Sequence, residues 1–516
     1  MSTLDAGLFN ELSRNITNGQ WLGTYNQDTL VKNPLTNILI AISKVFNVKY
    51  NFFHLNIYFI SIMVLMFSLR KIIPPYLNLF LVLLLIFNPE NFSQYKATII
   101  REDFEISLII LTSAFHFLYQ IEKKNYALIL MSITIGLLLI NRDSGIHYKI
   151  FFFTYILIDF KKSKRYKPKY ILYFSSIVIF IIPKLTISNI NNHYYNFFGA
   201  NIFFDSNYSK LYGKLTSVRP KGYTTKKSRN VIPNKSIDLI QKYGGKNISK
   251  VIANMPPGFK NVSTTKGEWG AGFMWGLYYS IVRTFEKTHD TADSPKNFNI
   301  VFDILIREID IMCSKESLPL SCTPKNYGFL SNPEYWSEVN PFLYFIKETP
   351  SFFLKFIHFK FGEKQNFMVM SGSNGDLGWS KNYREEAYKM LNDLGYSKSD
   401  YKKYRLNTTT LKALQYFGYG LRHLSILMLL SFLILIIYRK LRFETKGLFE
   451  TTLPILILFL LHTGTFYLFF LTILHRAFKY ITISSIYIPI ITILIISHFM
   501  KILENKRLVE KNINMS

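Results

Sequence analysis

The sequence predicts an all-α membrane protein with many spans, and three observations support this fold class. Of its 516 residues 49% are hydrophobic, and these gather into blocks rather than amphipathic stripes. Several blocks are long enough to cross the hydrocarbon core, which takes about 20 helical residues. Clusters of lysine and arginine separate the blocks, and the polar segment 188–412 contains no block of that length.

Apolar runs bounded by charge or proline predict nine spans. We divide the chain into a first loop with juxtamembrane helices at 1–50, an N-terminal bundle at 51–187, an outer domain at 188–412, a C-terminal bundle at 413–500 and a tail at 501–516. The predicted spans lie near 51–69, 73–88, 99–120, 125–141, 145–160, 169–187, 413–438, 449–472 and 475–500.

The positions of the basic clusters predict the orientation of the spans. The basic clusters that begin at Arg70, Glu122, Lys161 and Arg439, together with the tail, fall on alternate sides of successive predicted spans. By the positive-inside rule these loops are cytoplasmic, which leaves 1–50 and 188–412 outside the cell membrane and the C-terminus inside. We attribute part of the net charge of +28 to these short loops beside the spans. No RNA-binding or phosphate-loop motif accompanies the charge, so we expect no nucleic-acid partner.

The first polar stretch carries an unusual combination of residues. Asp5 precedes an amphipathic turn, the loop Gly19–Gly23 follows, and Lys32-Asn33-Pro34 leads into apolar sequence. The charge distribution places Asp5 outside the membrane, but no apolar segment precedes it to carry the chain across. We therefore expect a further span upstream of Met1.

The outer segment contains both cysteines and a clear amphipathic helix. Cys313 and Cys322 would face an oxidising exterior, which favours a disulfide over two buried free thiols. The helix is predicted over 299–312, where Ile300, Phe302, Ile304, Leu305, Ile309 and Ile311 alternate with acids and Arg307.

Ionisable residues gather at the predicted outer ends of the spans, where charge is costly and points to a function. Basic side chains can bind a lipid-linked phosphate, and a carboxylate can act as general base or hold a divalent cation. Taken alone, each residue other than Asp5 is better explained as an anchor at the headgroups or as the partner of a neighbouring charge. The groups are Asp5 with Lys32, Arg101-Glu102-Asp103, Arg142-Asp143, and His475-Arg476 before the last span.

The order of these motifs resembles the GT-C fold glycosyltransferases, a group that includes protein O-mannosyltransferases and lipid A aminoarabinose transferases. In these enzymes an acid in the first outer loop is followed by a glycine-marked loop and a lysine–glycine–proline step. Asp5, Gly19–Gly23 and Lys32-Asn33-Pro34 are similar to that loop, although Ala6 stands where many relatives carry a second acid and Asn33 replaces the glycine. The outer segment looks closer to bacterial multi-span membrane proteins with no assigned activity.

The resemblance implies a GT-C-like helix bundle that transfers a sugar from a polyprenyl-phosphate donor, on the outer face, to an acceptor that the sequence does not identify. Asp5 is then the expected base, with Glu102 and Asp143 as further catalytic acids. Expected phosphate ligands are Lys32, Arg101, Arg142 and Arg476. No metal-ligand spacing is present, and a divalent metal remains an open alternative for the acids.

Three other classes of protein are alternatives, and each makes a different prediction. A polysaccharide polymerase or ligase also uses outer-face arginines and a large outer loop, but it would not need Asp5. A non-catalytic lipid or solute transporter predicts charges in the middle of spans or inverted repeats. A scaffold without chemistry predicts that the acids lie far apart.

Overall fold

The computed structural model describes residues 3–88, 101–142, 146–163, 169–222, 232–255, 268–269, 272–285 and 296–322, and within 487–500 residues 487, 489–494, 496–497 and 500. Over these ranges the chain is mostly helical, as predicted. The predicted spans 413–438 and 449–472, most of 475–500, the tail, and the outer segment beyond residue 322 lie outside the described residues.

The N-terminal stretch folds into two packed helices, α1 (Thr3–Thr17) and α2 (Leu35–Val45). Lys44 on α2 donates hydrogen bonds to Asn10 Oδ1 at 2.8 Å and Ser13 Oγ at 2.9 Å on α1. Between the helices, Gly19 and Gly23 have φ angles of 77° and 92°. These left-handed values favour glycine, and a Cβ atom on Gly23 would also overlap the Asn15 side chain. The glycine-marked loop of the sequence is therefore a tight turn.

Six helices follow the first six predicted spans. Three segments are long and apolar enough to cross a membrane: Tyr50–Leu69, Phe104–Glu122 and Tyr170–Tyr195. The last helix continues past residue 187, where the predicted span ends, and carries Pro183 within it. The bounds are α3 (Tyr50–Leu69), α4 (Pro75–Ile86), α5 (Glu102–Glu122), α6 (Asn125–Asn141), α7 (Ile146–Ser163) and α8 (Lys169–Tyr195).

The polar segment after α8 forms short helices and two small antiparallel sheets. Strand β1 pairs with β4, and β2 pairs with β3. Cys313 and Cys322 form a disulfide that ties the end of the last described helix to β4. The elements are a 3₁₀ turn (Ile202–Phe204), α9 (Ser206–Ser217), β1 (Val218–Pro220), β2 (Ile232–Pro233), α10 (Asn234–Tyr243), α11 (Lys246–Ala253), β3 (Glu268–Trp269), α12 (Gly272–Phe285), α13 (Lys296–Cys313) and β4 (Leu320–Cys322).

The predicted amphipathic helix is present as α13, but only three of the six apolar residues singled out on it are buried. On α13 the side chains of Ile300, Ile304 and Ile311 are 63%, 37% and 58% exposed, whereas Phe302, Leu305 and Ile309 are buried. With 3.6 residues per turn, apolar positions two apart cannot share one face, so the buried positions follow spacings of three and four. Val301, Ile306 and Met312 complete the buried face.

Glu308 on α13 has a structural partner. Its carboxylate accepts hydrogen bonds from the backbone N–H groups of Asn247 at 3.2 Å and Ile248 at 2.8 Å, at the start of α11. A negative charge is favourable there because the first N–H groups of a helix lack intrahelical partners.

The described helices enclose two main hydrophobic cores that meet at the first loop. One lies among α3–α8, and the other contains Leu22, Tyr25, Leu30 and Val31 of the first loop together with α9–α13. Trp21 packs against both cores, and its Nε1 donates to Asn191 Oδ1 on α8 at 2.9 Å. The first loop therefore joins the apolar bundle to the second core.

Candidate active site

The segment that carries Lys32 is held by the second core. Leu30 accepts a hydrogen bond from the Ile202 N–H at 3.0 Å, and the Val31 carbonyl accepts one from Asn201 Nδ2 at 3.1 Å. Lys32 itself is 5% exposed, and its Nζ lies 4.0 Å from the centroid of the Trp275 ring on α12. A cation over the face of tryptophan is attracted by the ring quadrupole. The loop thus holds an ammonium in a site largely closed to solvent.

The residues after Lys32 fasten this loop to the end of α6. Asn33 Nδ2 donates to the Leu139 carbonyl at 3.2 Å, and Thr36 Oγ1 donates to Asn141 Oδ1 at 3.3 Å. Asn141 Nδ2 in turn donates to the Arg101 carbonyl at 3.0 Å, just before α5 begins. The starts of α2 and α5 and the end of α6 therefore meet at one end of the bundle.

A buried ion pair lies beside this junction. Arg142 Nη1 is 2.9 Å from Glu105 Oε2, and the two side chains are 6% and 0% exposed. Tyr148 OH, on α7, donates to Glu105 Oε1 at 3.0 Å. Such a pair is held only where the carboxylate oxygens have good partners, because taking either charge out of water alone is costly. Arg142 is thus satisfied by Glu105.

Glu105 was missed by the sequence patterns, which pointed to Arg101, Glu102 and Asp103. The signal was present, since Glu105 lies three residues after Glu102 and hence near the same face of α5. It was overlooked because an acid one turn inside an apolar run resembles a helix-end charge.

Among the residues that the structure describes, the buried amide of Asn37 has no hydrogen-bond partner. The residue is 0% exposed, and neither Oδ1 nor Nδ2 makes a hydrogen bond. The Oδ1 atom of Asn33, one turn earlier on the chain, is also buried and unpaired. Buried polar groups are nearly always satisfied, so this pair of side chains requires a structural or functional explanation.

Helix α1 approaches the same region. Phe9 is 1% exposed and packs with Ile40 of α2, Tyr50 of α3 and Phe104 of α5. Asp5 lies on α1 one helical turn before Phe9, and Glu102 is the first residue of α5, two positions before Phe104. The side chains of Asp5 and Glu102, and the whole of Asp143 and Arg476, lie outside what the structure describes.

A second polar contact fastens the first loop to α12. Tyr279 OH donates to Asp28 Oδ1, and Arg283 Nε donates to Gln27 Oε1 at 2.6 Å. Burial raises the pKa of the Asp28 carboxyl above its ordinary value of 3.8, against the opposing effects of the Tyr279 hydrogen bond and the Arg283 charge. Asp28 was not singled out from the sequence, where it appears as an ordinary loop acid.

Within the described ranges, no three His, Cys, Asp or Glu side chains lie together in a way that could hold a metal ion.

No protein-family model matches this chain, and neither the curated proteins nor the solved structures contain a significant match.

Proposed function

We propose that this protein is a GT-C-like glycosyltransferase of the membrane. It transfers a sugar from a polyprenyl-phosphate donor to an acceptor on the outer face. The proposal rests on the resemblance of the first loop and of the arginine motifs, and on one structural observation that bears on it.

The observation is that three of the four charged motifs belong to chain segments that meet at one end of the bundle. The hydrogen bonds from Asn33 to Leu139 and from Asn141 to Arg101 join the first loop, the start of α5 and the end of α6. Arg142 extends the junction through Glu105. This supports a shared site, because a scaffold with anchor charges gives no reason for such a junction.

In the proposed reaction the carboxylate of Asp5 takes the proton of the acceptor hydroxyl. The hydroxyl oxygen then bonds to the anomeric carbon as the bond from that carbon to the phosphate oxygen breaks. The polyprenyl phosphate leaves with the bonding electron pair, and cationic side chains stabilise its charge. Glu102 and Asp143 are the further acids assigned to this end of the bundle.

The cations have different roles in this proposal. Lys32, Arg101 and Arg476 remain the proposed phosphate ligands. Arg142 is assigned a positioning role, since Glu105 already neutralises it and the pair joins the end of α6 to α5. Lys32 would exchange its contact with Trp275 for the donor phosphate, a stronger partner for an ammonium.

The test is sugar transfer by the purified protein in proteoliposomes. Mannosyl and aminoarabinosyl polyprenyl phosphates, labelled in the sugar, serve as donors, and a membrane extract serves as acceptor. We expect Asp5→Asn to lower transfer by at least about 100-fold, the smaller end of what a general base contributes. Glu11→Gln is the matched control, because it neutralises another acid of the same helix and should leave transfer unchanged.

Full transfer by Asp5→Asn would contradict the proposed base and would favour the polymerase or ligase alternative. Equal losses in Asp5→Asn and Glu11→Gln would also contradict it, since the effect would then follow from damage to α1.

A further inference from the structure

Lys149 on α7 and Lys184 on α8 lie at the same height, with Lys184 exposed and Lys149 partly buried. Lys149 lies 14 residues before the end of α7 at Ser163, and Lys184 lies 15 residues after the start of α8 at Lys169. At about 1.5 Å per residue, the two are roughly 21 Å and 22 Å from the short connection between the helices. The helices pack together, and the two ammonium charges are close enough to act on each other.

The surroundings of these lysines are apolar. Phe153, one turn along α7 from Lys149, is 41% exposed, and Ile181, one turn before Lys184, is 37% exposed. Ile182 and Leu185 beside Lys184 are 48% and 44% exposed. The segment Tyr170–Tyr195 of α8 is long and apolar enough to cross a membrane, and exposed apolar side chains on such a helix form the surface that contacts lipid.

Neither lysine has a neutralising partner within the described part of the chain. No ion pair or hydrogen bond joins either ammonium to another group. The nearby charges differ in this respect, since Arg142 and Glu105 neutralise each other inside the bundle. Two like charges beside lipid repel each other and are costly unless an anion lies between them.

We propose that Lys149 and Lys184 bind the phosphate of the polyprenyl-phosphate lipid as it docks from the bilayer against α7 and α8. A phosphate offers several oxygens that two ammonium groups can share, and the prenyl chain lies along the apolar side chains beside them. Lys149 lies in the first turn of α7, seven residues after Arg142, and Lys184 lies at the same height on α8. The docked phosphate therefore approaches the proposed site from the lipid-facing surface of these two helices. This inference rests on the proposed function and names the residues that first receive its lipid substrate.

The experiment measures binding of sugar-free polyprenyl phosphate to the protein in nanodiscs of neutral lipid. We expect Lys149→Gln/Lys184→Gln to weaken binding at least tenfold, and Lys149→Arg/Lys184→Arg to restore it. The control is Lys123→Gln/Lys124→Gln, which removes two exposed lysines from the α5–α6 turn and should bind as the unaltered protein does. Millimolar inorganic phosphate should not displace the lipid.

Undiminished binding by the double Gln variant would overturn the inference, as would full displacement by inorganic phosphate. An equal loss in the control variant would overturn it too, because the effect would then reflect overall charge. Sugar transfer, measured separately, distinguishes this inference from the proposed function. Lysine-dependent binding without transfer refutes the function alone, whereas transfer with an unchanged KM in the double Gln variant refutes the lysine site alone.

Discussion

At the scale of single residues, the Glu105–Arg142 ion pair carries the highest desolvation cost that we describe. Both charges are buried, and the carboxylate accepts hydrogen bonds from Arg142 and Tyr148. The mutual attraction offsets a desolvation cost of several kcal/mol per ion, and that cost remains when one partner is removed. The pair therefore couples the position of the start of α5 to that of the end of α6.

Removing one member of this pair should be strongly destabilising. We expect Glu105→Gln to lower the free energy of unfolding by about 3–5 kcal/mol, because Arg142 then stays buried without its charge partner. Denaturant titration in detergent micelles measures the change. The double variant Glu105→Gln/Arg142→Gln should lose less than the single one.

The control for that prediction is an exposed ion pair. Lys214 and Asp310 are 2.6 Å apart, with side chains 38% and 49% exposed. Asp310→Asn should cost less than about 1 kcal/mol, as is typical of surface pairs. A Glu105→Gln loss as small as this one would show that the Arg142 charge is not buried as described.

Asn37 gives a prediction of opposite sign. Its amide is fully buried and unpaired, so Asn37→Leu should raise the free energy of unfolding by about 1 kcal/mol or more, since an unmade buried hydrogen bond carries a desolvation penalty. Asn141→Leu is the contrasting variant and should destabilise, because it breaks the bonds to Arg101 and Thr36. A less stable Asn37→Leu protein would mean that the amide has a partner.

Among the elements, the first loop connects the rest of the molecule. It contacts α6 through Asn33, α8 through Trp21, and α12 through Asp28 and Lys32. Its tight turn depends on Gly19 and Gly23, whose backbone conformations other residues adopt less readily. A polar loop with this many fixed contacts is held in place rather than free on the surface.

The contact between this loop and α12 should depend on pH. The pKa of Asp28 is raised above 3.8 on folding, so the folded state binds this proton more tightly than the unfolded state does. Asp28 therefore favours folding at low pH, and this contribution is lost as pH rises from about 3.8 through the raised pKa. Glu11 acts with the same sign, because lost hydration and then the Asp28 charge raise its pKa.

Asp28→Asn should remove most of this dependence. The amide oxygen can still accept the Tyr279 hydroxyl, and no charge is buried at higher pH. We expect the apparent melting temperature of the unaltered protein to fall more than that of Asp28→Asn between pH 4 and pH 8. Parallel pH profiles for the two proteins would contradict the assignment, and Glu11→Gln measures the contribution of its neighbour.

For the whole molecule, the sequence was enough to locate the helices of the first bundle. Apolar runs reproduce α3–α8 closely because composition alone decides whether a segment is long and apolar enough to span. The continuation of α8 to Tyr195 was not predictable from hydropathy, since its last turns are polar and pack in the second core through Tyr195. The orientation of the spans stays a prediction.

The site was only partly predictable, for a physical reason. The sequence places Lys32, Arg101 and Arg142 at helix ends, but their partners come from distant segments. Trp275 lies over Lys32, and Glu105 neutralises Arg142. Such pairings follow from tertiary packing and leave no local pattern. Lys149 and Lys184 were overlooked for the same reason, because each alone resembles an ordinary lysine near the end of a predicted span.

The most direct test of the central claim is the lipid-linked sugar profile of cells from which this protein has been deleted. Mass spectrometry of the lipid extract detects each polyprenyl-phosphate sugar by its mass, whatever the sugar and whatever the acceptor. The account predicts that one polyprenyl-phosphate sugar accumulates on deletion, and that the unaltered protein reverses this whereas Asp5→Asn does not. An unchanged profile of polyprenyl-phosphate sugars would contradict the proposed transfer reaction.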